Sequence, residues 1–333
     1  MTAAPAHRPA PSDRGPGAGR AVPPSDPAPA VRPGADPTAP PADPGPTGRT
    51  ARADSPVVVG ILLALFVLAI AVTAWRHPDG VVVSRDPGYA PMPVLLLLVP
   101  ALAAMALTAL LPRGRGAAEL SVRRGSALRA ESAVLLGLVL AFPLLVPLLP
   151  TGEDYVLAKA ALFLLVPSVV LALSARRRGA SIMIRRPEVG AAVIALPALV
   201  LGVLSTVGPF SSGGPASWPP LEVLLIAATA TAITAGLGEE LIYRRFLQTR
   251  LEALLGPWTG LLLASLLFGL MHVLSHGGGA WWESAAQVIA LQGTTGIALG
   301  LMWRRWRRLW VCVLAHVLLN ALGVLLHLLG LLG

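Results

Sequence analysis

Nine apolar runs, at 56–75, 92–112, 132–150, 155–174, 189–208, 220–243, 258–280, 284–302 and 309–331, leave this chain few folds to choose from. Most are close to the ~20 residues that carry a helix across ~30 Å of hydrocarbon. Lipid offers no partner for a backbone N–H or C=O, so a spanning segment must satisfy its own. Continuous apolar runs do this as helices, whereas an outer-membrane strand would alternate apolar and polar residues. A soluble core is excluded as well, because 55% of residues are hydrophobic and 13% charged, with a mean hydropathy of +0.70. The expected fold is all-α: a polytopic transmembrane helical bundle of about nine spans.

Residues 1–54 differ in kind. Dominated by Pro, Ala and Gly, they hold too little apolar surface to offset the entropy of ordering, and read as a disordered cytoplasmic tail. The first apolar run begins too late for a cleaved leader. Residues 55–210 hold five N-terminal transmembrane helices of unassigned role, and 218–332 hold the polar residues that invite chemistry.

The formal charge of +9 rests on arginine, since Lys159 is the single lysine. Seventeen arginines, from Arg113 to Arg308, fall in the loops after the second, fourth, sixth and eighth runs, while the opposite segments carry only Arg76, Arg85 and Lys159. Short cytoplasmic loops concentrate basic residues, so this alternation predicts a multi-pass plasma-membrane protein with its N-terminus inside. The charge is thereby assigned to topology and solvated loop ends, with contact to anionic lipid head groups as the alternative, and not to nucleic acid. Trp281, Trp282, Trp303, Trp306 and Trp310 sit at run ends, where an interfacial aromatic belt is expected. Cys312, the sole cysteine, permits no intramolecular disulfide and no two-cysteine zinc site.

Ionisable groups inside a span cost on the order of 2.5–3.5 kcal/mol each on insertion scales, so they are the informative residues. Glu239 and Glu240 lie deep in the sixth run, with Arg244 and Arg245 after them. Helical spacing puts Glu240 and Arg244 on one face as a pair and turns Glu239 elsewhere. His272 ends the seventh run, and the ninth carries His316 and the only asparagine, Asn320, one turn apart. Counted from the arginine-bearing ends, Glu239, His272, His316 and Asn320 fall ~12–22 Å deep. A carboxylate, two imidazoles and a carboxamide can supply the base, acid and oxyanion donors of amide hydrolysis. Gly-x-Ser-x-Gly, His-Glu-x-x-His and P-loop motifs are missing.

Glu239-Glu240-x-x-x-Arg244, Phe268-x-x-x-His272 and His316-x-x-x-Asn320 follow one another in an order that resembles the three motifs of a known family. This is the CAAX-protease and bacteriocin-processing family, also called Abi or type II CAAX prenyl endopeptidase-like, and Tyr243 matches its usual first motif. The likeness covers roughly residues 220–325. It implies an intramembrane endopeptidase in which Glu239 and His272 activate water, His316 and Asn320 stabilise the oxyanion, and Glu240 and Arg244 form a supporting pair. The family is commonly labelled metalloprotease. Glu239, His272 and His316 could therefore hold a divalent metal such as zinc, with metal-free glutamate catalysis as the alternative.

The expected partners are membrane lipid and a peptide or protein substrate, with the oligomeric state left open. Arginine-rich, lysine-poor composition suggests a bacterial protein, for which a prenylated CAAX substrate is not expected. Two competing readings are a non-proteolytic immunity or scaffold protein and a transporter; the transporter lacks the internal repeat and paired broken helices that usually mark one.

Overall fold

A computed structural model describes residues 49–50, 52–84, 87–116, 118–123, 125–177, 179–274 and 280–331. The chain divides into two compact units, 1–45 and 46–333, and the described residues all belong to the second. The expected tail disorder at 1–48, and Arg85, Arg124, Arg178 and His276, lie outside the described residues.

Helices dominate. Nine helical rods occur among the described residues: α1 (Pro56–Arg76), α2 (Val94–Leu110), α3 (Ala127–Leu148), α4 (Gly152–Arg176), α5 (Ala191–Thr206), α6 (Leu221–Leu255), α7 (Pro257–Leu270), α8 (Trp281–Trp306) and α9 (Leu309–Leu328). Six are long and apolar enough to cross a membrane, whereas α2, α5 and α7 are shorter. The shortfall from nine full spans has local causes. Proline fixes where α2 can run: the helix starts after Pro93, and Leu111, which precedes Pro112, is extended at ψ 155° because the proline ring clashes with a helical neighbour. In α7 the helix stops at Leu270, so His272 lies in the turn beyond it and not within a span.

The sixth helix departs from expectation in the opposite direction. It continues for 35 residues to Leu255, passing through Arg244 and Arg250, which the sequence suggested were loop charges. Both are buried and paired, Arg244 with Glu240 at 3.0 Å and Arg250 with Glu131 at 2.8 Å. Within α6, Ala232–Gln248 is wound as a π-helix, a geometry usually confined to single turns and frequent at functional sites.

Short strands were not expected. β1 (Arg49–Thr50), β2 (Leu120–Arg123) and β3 (Ser181–Ile184) form an antiparallel sheet in the order β1-β2-β3. Its pairing, with Leu120 opposite Ile184 and Arg123 opposite Ser181, draws the α2–α3 and α4–α5 loops to one end of the bundle. Arg305, at the end of α8, donates to the Leu111 carbonyl at that same end, and Arg307 pairs with Glu252 at 2.5 Å. The opposite end is tied by Arg76 and Glu283 at 2.5 Å and by the stacked rings of Trp218 and His327. The arginine-rich loops thus share one pole.

The surface is apolar where it faces outward, with Ile61, Val67, Leu144 and Ile226 each more than 60% exposed. The interior holds Phe142, Phe163, Tyr243, Leu247 and Phe268. Trp303 and Trp306 are fully buried there, not in an interfacial belt, because α8 runs through the protein interior. Trp281, Trp282 and Trp310 remain exposed.

Candidate active site

Two glycines decide how closely other helices approach the Glu239–Glu240 pair. A Cβ at Gly236 would lie 2.5 Å from Val317 Cγ2 on α9, and one at Gly238 would lie 3.2 Å from Leu164 Cγ on α4. Hydrogen at these positions lets both helices pack on the π-helical stretch. Each incoming helix brings one polar residue: His316 beside Val317, and Lys159 one turn before Leu164.

The first result is a relay. Arg244 Nε donates to Glu240 Oε2 at 3.0 Å, and His316 Nδ1 lies 2.8 Å from Glu240 Oε1. A carboxylate oxygen can only accept, so Nδ1 carries the proton and Nε2 is turned away from Glu240. It points toward Glu239, 3.8 Å from Oε2. All four groups are buried, with Glu239 1%, Glu240 0%, Arg244 0% and His316 6% exposed. The pair predicted between Glu240 and Arg244 is present, and Glu239 points elsewhere as expected.

His272 reaches the cluster from a different element. Its Nδ1 lies 2.8 Å from the carbonyl oxygen of Phe268, left without a helical partner as α7 ends. That oxygen also only accepts, so Nδ1 carries the proton in this contact. His272 is half-buried and within electrostatic reach of Glu239. Phe268, given no role by the sequence, is the hub: its ring meets Tyr243, His272 and His316 edge-on at 5.3, 5.2 and 5.8 Å, and the Arg244 guanidinium lies 4.7 Å from its centre. Asn320, one turn beyond His316, is exposed and makes no hydrogen bond among the described residues.

Lys159 is the residue the sequence misplaced. Read as a charge on the outer side, it is instead 6% exposed inside the bundle, with its ammonium against Glu239 Oε1 and 5.4 Å from the Tyr155 ring centre. A signal existed: the only lysine of an arginine-rich chain stands inside an apolar run. Arg would crowd such a site with a planar fork, whereas a compact ammonium fits one carboxylate oxygen.

The three residues named as zinc ligands were tested against this geometry. One oxygen of Glu239 faces an ammonium, which no cation can share at bonding distance, and among the described residues no group of three His, Cys, Asp or Glu side chains is arranged to hold a metal. As placed, Glu239, His272 and His316 do not fit a zinc ion.

Residues 221–322 match the family model described as Type II CAAX prenyl endopeptidase Rce1-like. That span begins with α6, ends within α9 and contains the whole Glu239, Glu240, Arg244, His272, His316 and Asn320 set, while Lys159 comes from outside it. No curated protein and no solved structure matches the chain. Six helices are thus long and apolar enough to cross a membrane, and residues 221–322 are similar to the Rce1-like, type II CAAX prenyl endopeptidase family.

Proposed function

We propose that this protein is an intramembrane endopeptidase that hydrolyses a peptide bond with water activated by Glu239. The reading is carried by one observation: an Arg244–Glu240–His316 relay aims an imidazole nitrogen at Oε2 of Glu239, a buried oxygen without a hydrogen-bond partner. Lys159 holds Oε1, leaving Oε2 on the histidine side as the base. A water entering beside Oε2 gives its proton to Glu239 as its oxygen attacks the substrate carbonyl carbon. His272 Nε2 accepts the water's second hydrogen bond and orients the attack.

The oxyanion of the tetrahedral intermediate is stabilised by the Asn320 amide and by His316 Nε2, which shares the proton that Glu239 took from the water. As the C–N bond breaks, the proton held by Glu239 passes to the leaving amine. No step is routed through a metal. Composition favours a bacterial plasma membrane with the N-terminus inside, and a substrate that is a membrane-embedded or membrane-adjacent peptide.

A second reading, an immunity or scaffold protein, is favoured by the charge balance of the cluster, since Lys159 and Arg244 neutralise Glu239 and Glu240. Comparison of protein N-termini in membranes from cells expressing wild type or Glu239→Gln separates the two. Endopeptidase function predicts a set of N-termini present only with wild type. Identical sets, with the variant retaining its cellular role, would establish the scaffold reading instead.

A further inference from the structure

At the arginine-rich pole, α2, α6, α7 and α8 surround a cavity of about 620 Å³. Its wall is apolar along Met105, Ala109 and Leu301, and cationic at the mouth, where Arg113, Arg304, Arg305 and Arg307 converge. A single carboxylate, Glu252, lines it, and both of its oxygens are already occupied: Oε1 accepts from Gln248 at 2.7 Å and Oε2 from Arg307 at 2.5 Å. Among the described residues, Arg113, Arg304 and Arg305 have no carboxylate within ion-pair distance.

Donors are left over as well. Arg305 Nε and Arg307 Nε and Nη1 are buried without a hydrogen-bond partner, a costly state unless something accepts from them. Arg307 is also the one non-glycine residue with positive φ among those described, at 52°. That left-handed cap sends its guanidinium back under α8 to Glu252. Strain of this kind persists where surrounding structure over-determines it. The neighbouring N-terminus of α7 is not available to an anion, because Asp54 already accepts from Trp258 N and Thr259 N at 2.9 Å.

Three guanidinium groups without an ion pair among the described residues, spare buried N–H donors and an apolar wall describe one ligand chemistry: a phosphate-bearing anion with an acyl tail. The geometry points to this cavity as a binding site for the phosphodiester headgroup of an anionic membrane phospholipid. Arg304, held 4.3 Å from the Trp258 ring centre, and exposed Arg113 grip the phosphate, while the chain lies along Met105 and Leu301. Basic pockets between transmembrane helices recognise such headgroups, and the forked guanidinium matches phosphate oxygens in pairs.

The test is native mass spectrometry of the detergent-purified full chain, titrated with phosphatidylglycerol, with phosphatidylcholine of the same acyl chains, and with inorganic phosphate. Wild type should retain phosphatidylglycerol over phosphatidylcholine, and Arg113→Gln/Arg304→Gln should weaken that retention about thirtyfold, near 1 kcal/mol per lost charge. Neither side chain is in an ion pair, so the variant should fold, which its thermal midpoint checks. Arg176→Gln/Arg177→Gln removes equal charge from exposed positions and should change nothing. Equal retention of the two lipids, an unaffected cavity variant, or an equal loss in the control would overturn the site. Inorganic phosphate binding as tightly as the lipid would overturn the lipid as ligand and identify free phosphate.

Discussion

Two buried ionic clusters share this bundle, and they differ in what they leave unsatisfied. Near the arginine-rich pole, Glu131 accepts from Ser174 at 2.5 Å, from the Ala180 amide at 3.0 Å and from Arg250 through two nitrogens. Glu252 is likewise used on both oxygens. In the cluster between α4, α6 and α9, Glu239 is just as buried, but only Oε1 is engaged, by Lys159, while Oε2 has no hydrogen bond and lies 3.8 Å from His316 Nε2. A saturated carboxylate is a structural pin. A carboxylate with one idle oxygen facing an imidazole is prepared for proton transfer, and Glu239 is the only one of the three with histidine at hand.

The largest effect that can break this contrast is on rate. Glu239→Gln should lower peptide cleavage about 10⁴-fold, the upper end for a general base, while its carboxamide oxygen still accepts from Lys159 and keeps the drop in thermal midpoint smaller than that of Glu131→Ala. A midpoint that collapses with it would make Glu239 another pin. Glu131→Ala should do the reverse. Leaving Arg250 buried and unpaired costs on the order of 3–5 kcal/mol of stability, read as a lowered midpoint, with cleavage per folded molecule retained.

Lys159→Met sharpens the comparison further. Alone it strands the Glu239 charge and should destabilise by about 3 kcal/mol, whereas Lys159→Met/Glu239→Gln should recover most of that loss. Additive losses in this double-mutant cycle would mean that the two side chains are not coupled. Gly236→Val should push α9 and His316 away from Glu239 and slow cleavage about tenfold, a loss on the scale of overpacking. The smallest change is expected from Asn320→Gln, which keeps the carboxamide. It should retain activity within about tenfold, against a ~10²-fold loss for Asn320→Ala.

Much of this was legible in the sequence. The nine rods follow from apolar length, because a chain in lipid must close its own hydrogen bonds. Glu240 and Arg244 announced themselves by spacing, and their pairing survives the change to π-helical winding. The ends of helices were less legible: Pro93 and Pro112 clip α2, while α6 runs past its apolar segment because Glu131 neutralises Arg250 from 119 residues away. Lys159 was misread for the same reason. A charge in a short apolar run looks like an interfacial residue until its partner is found on another helix. Trp303 and Trp306 likewise looked like belt residues, because nothing local says that α8 faces protein and not lipid.

Cleavage per folded molecule, measured on the purified full chain for wild type, Glu239→Gln and Glu131→Ala, tests the central contrast most directly. The expected result is activity lost only in Glu239→Gln, with the larger loss of stability in Glu131→Ala. Undiminished cleavage by well-folded Glu239→Gln would contradict it.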